Sequence, residues 1–168
     1  MRNKSTLKIQ KKNPISDITY VLDESGIIGT LKLSFLNSSA FFTGQELYTF
    51  RPIDFIGNSV RIYREGKSIG YIHFHAFRNM AQINLVEEGP FQFSLRGFIN
   101  GNWVLRQGKI SIERTEDDLL FHHLESKERE LLVACGLFTA SKINKDLIII
   151  LPFIGLIWFL LLLIYIHL

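Results

Sequence analysis

His73-Phe74-His75 is the stretch of this 168-residue chain whose residue types come closest to doing chemistry. On a strand its two imidazoles project from one face, about 7 Å apart. Neutral imidazole is a frequent metal ligand. His122-His123 adds two more rings, on opposite faces of a later strand. No acidic residue stands at a short ligand spacing from His73 and His75, and Arg61, Tyr63 and Tyr71 share their face and would repel or crowd a cation. His73 and His75 are therefore weak metal candidates. The same residues suit a phosphate group better: Arg61, Tyr63, Tyr71, His73 and His75, with Lys67 at the hairpin tip, form a basic aromatic patch. Guanidinium binds phosphate bidentately, and tyrosine tolerates a lipid–water boundary. Arg78, Arg96 and Arg106 extend the patch if their strands neighbour this hairpin. The plain alternative is a solvated polar strand face.

Arrangements for nucleophilic or cofactor chemistry are lacking. The chain has no Gly-x-Ser-x-Gly, no P-loop and no dinucleotide fingerprint. Its single cysteine, Cys135, lies inside an apolar segment, where a thiol is inert. One cysteine also rules out a disulfide framework and a cysteine-based zinc site. Glu87-Glu88 and Glu116-Asp117-Asp118 read as turns. The expectation is a protein that is not an enzyme and needs no cofactor.

The elements that must position these residues are strands. From residue 18 to about 125 the hydrophobic period is two, punctuated by Gly, Asn and Asp. Val60, Ile62, Ile72 and Phe74 alternate with Arg61, Tyr63, Tyr71 and His73, and Glu65-Gly66 between the two runs signals a hairpin. Asn100-Gly101 is the strongest turn pair. The pattern predicts about 10–12 short antiparallel strands, closed as a barrel or sandwich with one face packed and one wet.

Two segments break the period. Residues 129–142 include Leu131–Ala140, which is uncharged on every side, with Glu128 and Glu130 before it and Lys142 after. A helix apolar all round must be buried all round, and this one is too short to cross a bilayer. The middle of the barrel is one place for it; a re-entrant or interfacial helix is the other. Residues 147–166, LIIILPFIGLIWFLLLLIYI, carry no formal charge, and as a helix they span about 30 Å, the thickness of a hydrocarbon core. They are predicted to be a separate transmembrane anchor with Pro152 in its first turn and a half. Lys142 and Lys145 precede this span and no Lys or Arg follows it, which places the N-terminal part in the cytoplasm as a single-pass, tail-anchored protein.

Residues 1–16 open with Arg2, Lys4, Lys8, Lys11 and Lys12 and read as a flexible basic arm, solvated or resting on anionic lipid. Hydrophobic residues make up 47% of the chain, against disorder, and a net charge of only +3 argues against a nucleic-acid partner.

Many short strands followed by a hydrophobic helix resemble the tubby C-terminal domain, whose plan phospholipid scramblases and LURP-one-related proteins share. The residues that carry the resemblance are Tyr20-Val21-Leu22-Asp23-Glu24-Ser25-Gly26-Ile27-Ile28-Gly29, like their first hairpin, and Glu130-Leu131-Leu132-Val133-Ala134-Cys135-Gly136-Leu137-Phe138, like their central helix. It covers roughly residues 17–143. It implies a mainly β, antiparallel meander barrel around a central helix at 129–142, binding membrane lipid head groups or a protein partner. The functional expectation is a non-enzymatic module anchored at a membrane surface. Alternatives are lipid scrambling by an oligomer of the anchors, against which the lack of polar residues in the span counts, and a metal-dependent enzyme using His73 and His75.

Overall fold

A computed structural model describes residues 7–12, 17–34, 39–54, 58–75, 79–97, 101–124 and 126–167; the side chains of 126–127, 146–154, 160 and 162–167 are outside the described set. Alternation becomes twelve strands: β1 (Leu7–Lys11), β2 (Ile18–Asp23), β3 (Gly26–Leu33), β4 (Ala40–Thr43), β5 (Leu47–Pro52), β6 (Ser59–Arg64), β7 (Lys67–Phe74), β8 (Met80–Leu85), β9 (Gly89–Leu95), β10 (Trp103–Gln107), β11 (Ile110–Thr115) and β12 (Asp118–His122). One helix follows, α1 (Ser126–His167). Each strand pairs antiparallel with its chain neighbours, and β1 pairs with β12, so the meander closes into a barrel with no free edge. At the β6–β7 hairpin both turn residues, Glu65 and Gly66, take positive φ (48° and 81°), the twist that two-residue hairpins require.

Closure corrects the reading of residues 1–16 as an arm. Leu7–Lys11 is a strand, with Ile9 2% exposed and facing Val21 across the β1–β2 ladder. Lys8 and Lys11 disguise it: Lys8 lies on the outer face, which tolerates charge, and Lys11, in phase with Ile9, is exposed as the last residue of the strand. Residues 1–6 and 13–16 of the predicted arm lie outside the described residues.

The inner face is one apolar cluster containing Leu31, Phe50, Ile62, Ile83, Phe93, Trp103 and Ile112, and the first half of α1 belongs to it. Residues 131–140 of the helix are all buried, nearly three turns with no wet side. The helix touches β3 and β5 on one side of the ring and β9 and β10 on the other. Phe138 stacks on Phe50 with centroids 4.5 Å apart and meets Phe74 edge-on at 6.5 Å. Of the two places open to this segment, it occupies the barrel interior. At Gly136 an added Cβ would overlap the Trp103 ring, so glycine lets the helix pass the wall.

The helix threads the barrel from end to end. Near its start, the Glu130 carboxylate accepts hydrogen bonds from the backbone N–H groups of Gln45 (3.1 Å) and Glu46 (3.0 Å) in the β4–β5 turn. About 22 Å further on, Lys145 forms an ion pair with Asp17, just before β2, at 2.8 Å. Those two connections lie at opposite ends of a meander. The helix therefore leaves through the end that holds the β1–β2, β3–β4, β5–β6, β7–β8, β9–β10 and β11–β12 connections, called the exit end below.

The expectation of two separate helices is also corrected: α1 is continuous. Ser141-Lys142-Ile143-Asn144-Lys145 looks like a linker because it is polar, yet it sits where the helix clears the barrel and charges find partners. Lys142 is 8% exposed and places its ammonium 5.3 Å from the Phe74 ring centre, while Lys145 reaches Asp17. Pro152 thus falls in a helix interior, where its missing N–H leaves one i→i−4 bond unmade.

Much of the predicted span 147–166 falls on residues whose side chains are outside the described set. Among the described residues no helix is long and apolar enough to cross a membrane. Leu156, Ile157, Trp158 and Phe159 are described, and each is more than half exposed. At 100° per residue these four wrap most of the helix circumference.

Candidate functional site

The hairpin β6–β7 brings most of the predicted patch together on the outer wall. Val60, Ile62, Ile72 and Phe74 point into the core, which turns the intervening residues outward. Arg61 stands directly across from Tyr71, and Ser59 across from His73. The Ser59 hydroxyl and His73 Nδ1 are 3.1 Å apart. His73 and His75 meet edge to face with ring centroids 5.5 Å apart. Tyr63 is part-buried one step along β6.

Register adds a residue that pattern reading missed. Arg51 on β5 lies directly across from Arg61, and its guanidinium sits 5.4 Å from the Tyr63 ring centre. Like charges facing each other across a ladder repel. Neither arginine has a carboxylate partner among the described residues. Arg51, Arg61 and Tyr71 form a row across three strands, with His73 and His75 beside it toward the exit end. The available signal was strand order: once β5 is placed beside β6, Arg51 and Arg61 fall into register.

Other candidates are separated from this row. Lys67 begins β7 beside the Glu65-Gly66 turn, at the end opposite the exit. Arg96 and Arg106 do not extend the patch, because both engage Glu113, at 3.5 and 2.7 Å. That pairing, led by the Arg106 hydrogen bond, holds the Glu113 carboxyl below its usual range. Arg78 lies outside the described residues. His122 belongs to β12, five strands from β7. Among the described residues, no group of three His, Cys, Asp or Glu side chains is placed to hold a metal, so His73 and His75 gain no third donor there.

A second polar cluster surrounds the start of the helix. A cavity of about 120 Å³ is lined by Arg64, Ser68, Leu85, Glu87, Glu88 and Leu131 among others. Burial, with Glu128 nearby, raises the Glu88 carboxyl above its ordinary pKa. The Tyr48 hydroxyl donates to Glu46, and burial together with that carboxylate pushes its pKa up. Arg64 approaches Glu46 at 3.3 Å. The acids around this cavity oppose an anion, and Arg64 opposes a cation. Burial also raises the Cys135 thiol, which leaves no thiolate nucleophile inside the barrel.

Comparison of the chain with family models, with curated proteins and with solved structures finds no match.

Proposed function

We propose that this protein is a non-enzymatic barrel module, integral to a membrane through the second half of α1, that binds anionic lipid head groups with the wall formed by Arg51, Arg61, Tyr71, His73 and His75. The observation that carries the reading is the change of surroundings along one helix. Residues 131–140 are uncharged and sheathed by strands; residues 156–159 are apolar and bare. In water, bare Leu, Ile, Trp and Phe side chains would each forgo about 1.5–3 kcal/mol of burial. Lipid supplies that burial, and the uncharged run over 147–166 has the length of a hydrocarbon core. Kinship with the tubby-like superfamily is part of this proposal, supported by twelve meandering strands around a central helix. The N-terminal part faces the cytoplasm in this reading, consistent with Lys142 and Lys145 before the span.

The anchor holds the barrel at the surface, so modest head-group affinity suffices. Two adjacent arginines without carboxylate partners among the described residues favour a phosphate group, which neutralises both and removes their mutual repulsion. A fragment ending at Lys145 retains all twelve strands and the threaded part of α1. It is expected to sediment with vesicles of phosphatidylcholine mixed with phosphatidylserine, and to release as salt is raised. With each surface cation contributing roughly 1 kcal/mol, Arg51→Ser with Arg61→Ser should weaken binding about 10- to 30-fold. Lys109→Ser, at the opposite end, should leave it unchanged. Equal binding to pure phosphatidylcholine would remove the head-group assignment.

A further inference from the structure

From β3 to β9, seven successive strands contain no Asp or Glu. His73 and His75 sit inside this stretch. Their outward neighbours are Ser59 and Arg61 on β6, Tyr71 on β7, and Met80, Gln82 and Asn84 on β8. Gln82 donates to Asn84 at 3.0 Å. Beyond Arg61 stands Arg51. Acids near these strands are confined to the connections. Asp54, between β5 and β6, accepts the Asn58 N–H at 3.0 Å. Glu65, Glu87 and Glu88 occupy turns at the far end of β6–β9, and Glu65 is roughly 20 Å from His73 along β7. Behind the wall, the Lys142 ammonium lies against the Phe74 ring at 5.3 Å. Residues 55–57 and 76–78 lie outside the described structure.

Imidazole is the side chain that gains charge within the physiological pH range. Its charged form donates from both ring nitrogens. At His73 the partner suits either state. The Ser59 hydroxyl, 3.1 Å from Nδ1, donates to an unprotonated nitrogen and accepts from a protonated one. Charging the ring therefore costs no hydrogen bond, but it does cost repulsion. Each new charge joins Arg61 and Arg51, and the two rings are 5.5 Å apart. No carboxylate on these strands offsets that charge, whereas an anion bound on the wall does. We infer that anion binding here is proton-linked: a lipid phosphodiester held by Arg51 and Arg61 draws protons onto His73 and His75, so the wall grips harder as its surroundings acidify. The inference rests on the head-group reading above and adds the regulation of that same site. By linkage, a ligand that prefers the protonated form takes up protons as it binds, and its affinity rises as pH falls.

Calorimetric titration of the full chain, held in a neutral maltoside detergent, tests the linkage. The probe is dihexanoyl phosphatidylglycerol, whose one phosphodiester charge stays constant from about pH 7.5 to about pH 5.5, the range in which imidazole titrates. Dihexanoyl phosphatidylcholine is the neutral control. Two added cations at a lipid-facing wall should raise affinity about 10- to 30-fold at the lower pH. Proton uptake should appear as a binding heat that depends on the ionisation enthalpy of the buffer. His73→Gln with His75→Gln should abolish the gain. His73→Lys with His75→Lys should bind at the higher pH as the native chain does at the lower. His122→Gln, on β12, should keep the full pH dependence. A preference for phosphatidylglycerol that is equal at both pH values, or a gain that survives in the double Gln variant, overturns the proton linkage and leaves the head-group reading standing. Dimethyl phosphate, the same phosphodiester without acyl chains, should bind far more weakly; equal affinity overturns the lipid as the source of the anion. No preference over phosphatidylcholine at either pH overturns the head-group reading, and the linkage with it.

Discussion

Arg51 and Arg61 show how register creates a site that neither residue announces. Each is an ordinary outward cation on its own strand; opposed across a ladder they repel, and an anion between them is stabilised twice. Most of the patch was readable: alternation alone turns Arg61, Tyr63, Tyr71, His73 and His75 outward, because Val60, Ile62, Ile72 and Phe74 must point in. Arg51 was not readable that way, and neither was the distance of Lys67 from the rest. Glu88 presents the opposite situation, a carboxyl held in place by its fold against its own charge. Its raised pKa means that the native state binds its proton more tightly than the unfolded chain does. Ionised Glu88 therefore destabilises the fold above its native pKa, and the penalty is relieved as pH falls through that value. Glu88→Gln should raise the melting temperature at neutral pH, with the gain shrinking as acid is added. A gain that is constant from neutral pH down to well below the ordinary glutamate pKa would refute the assignment.

At the scale of the element, the threaded half of α1 is fitted to its sheath at two points. Gly136 and Trp103 occupy one volume between them: the ring is fully buried and fills the space a side chain on residue 136 would need. Gly136→Ala should destabilise by about 1–3 kcal/mol, more than the roughly 1 kcal/mol that alanine gains in helix propensity. Adding Trp103→Phe to Gly136→Ala should recover part of the loss, seen as a coupling in a double-mutant denaturation cycle. The second point is Glu130, whose carboxylate clasps two backbone N–H groups of the β4–β5 turn. Glu130→Ala should lower stability by about 2 kcal/mol and speed hydrogen exchange at Gln45 and Glu46 specifically; unchanged exchange there would mean the clasp contributes nothing. The helix itself was legible because ten consecutive residues without charge admit no wet face. Strand β1 was not, since five residues with two exposed lysines, one of them in phase with Ile9, carry too little apolar pattern until closure gives Ile9 a core to enter.

On the scale of the whole molecule, barrel and helix share a single apolar cluster, and neither has another way to bury its interior surface. Removing the helix would leave the inner faces of twelve strands around a void; removing the strands would bare residues 131–140. The amides of residues 131–140 and those of inward positions on β6 and β9 should therefore exchange with the same global opening free energy in native-state hydrogen exchange. Markedly weaker protection of the helix would show a rod that slips within a self-sufficient barrel.

The chain's own pattern was enough for the strand-rich body, the all-apolar rod and the charge-free stretch beyond it, because period and charge are local properties that lateral neighbours do not alter. Three things depended on the folded assembly: β1 completing the ring, Arg51 meeting Arg61, and one unbroken helix passing through the barrel. The first and third join residues far apart in the chain, and Arg51 meets Arg61 only once the pairing of β5 with β6 sets their register; strand order, register and ring closure are not contained in a local hydrophobic pattern.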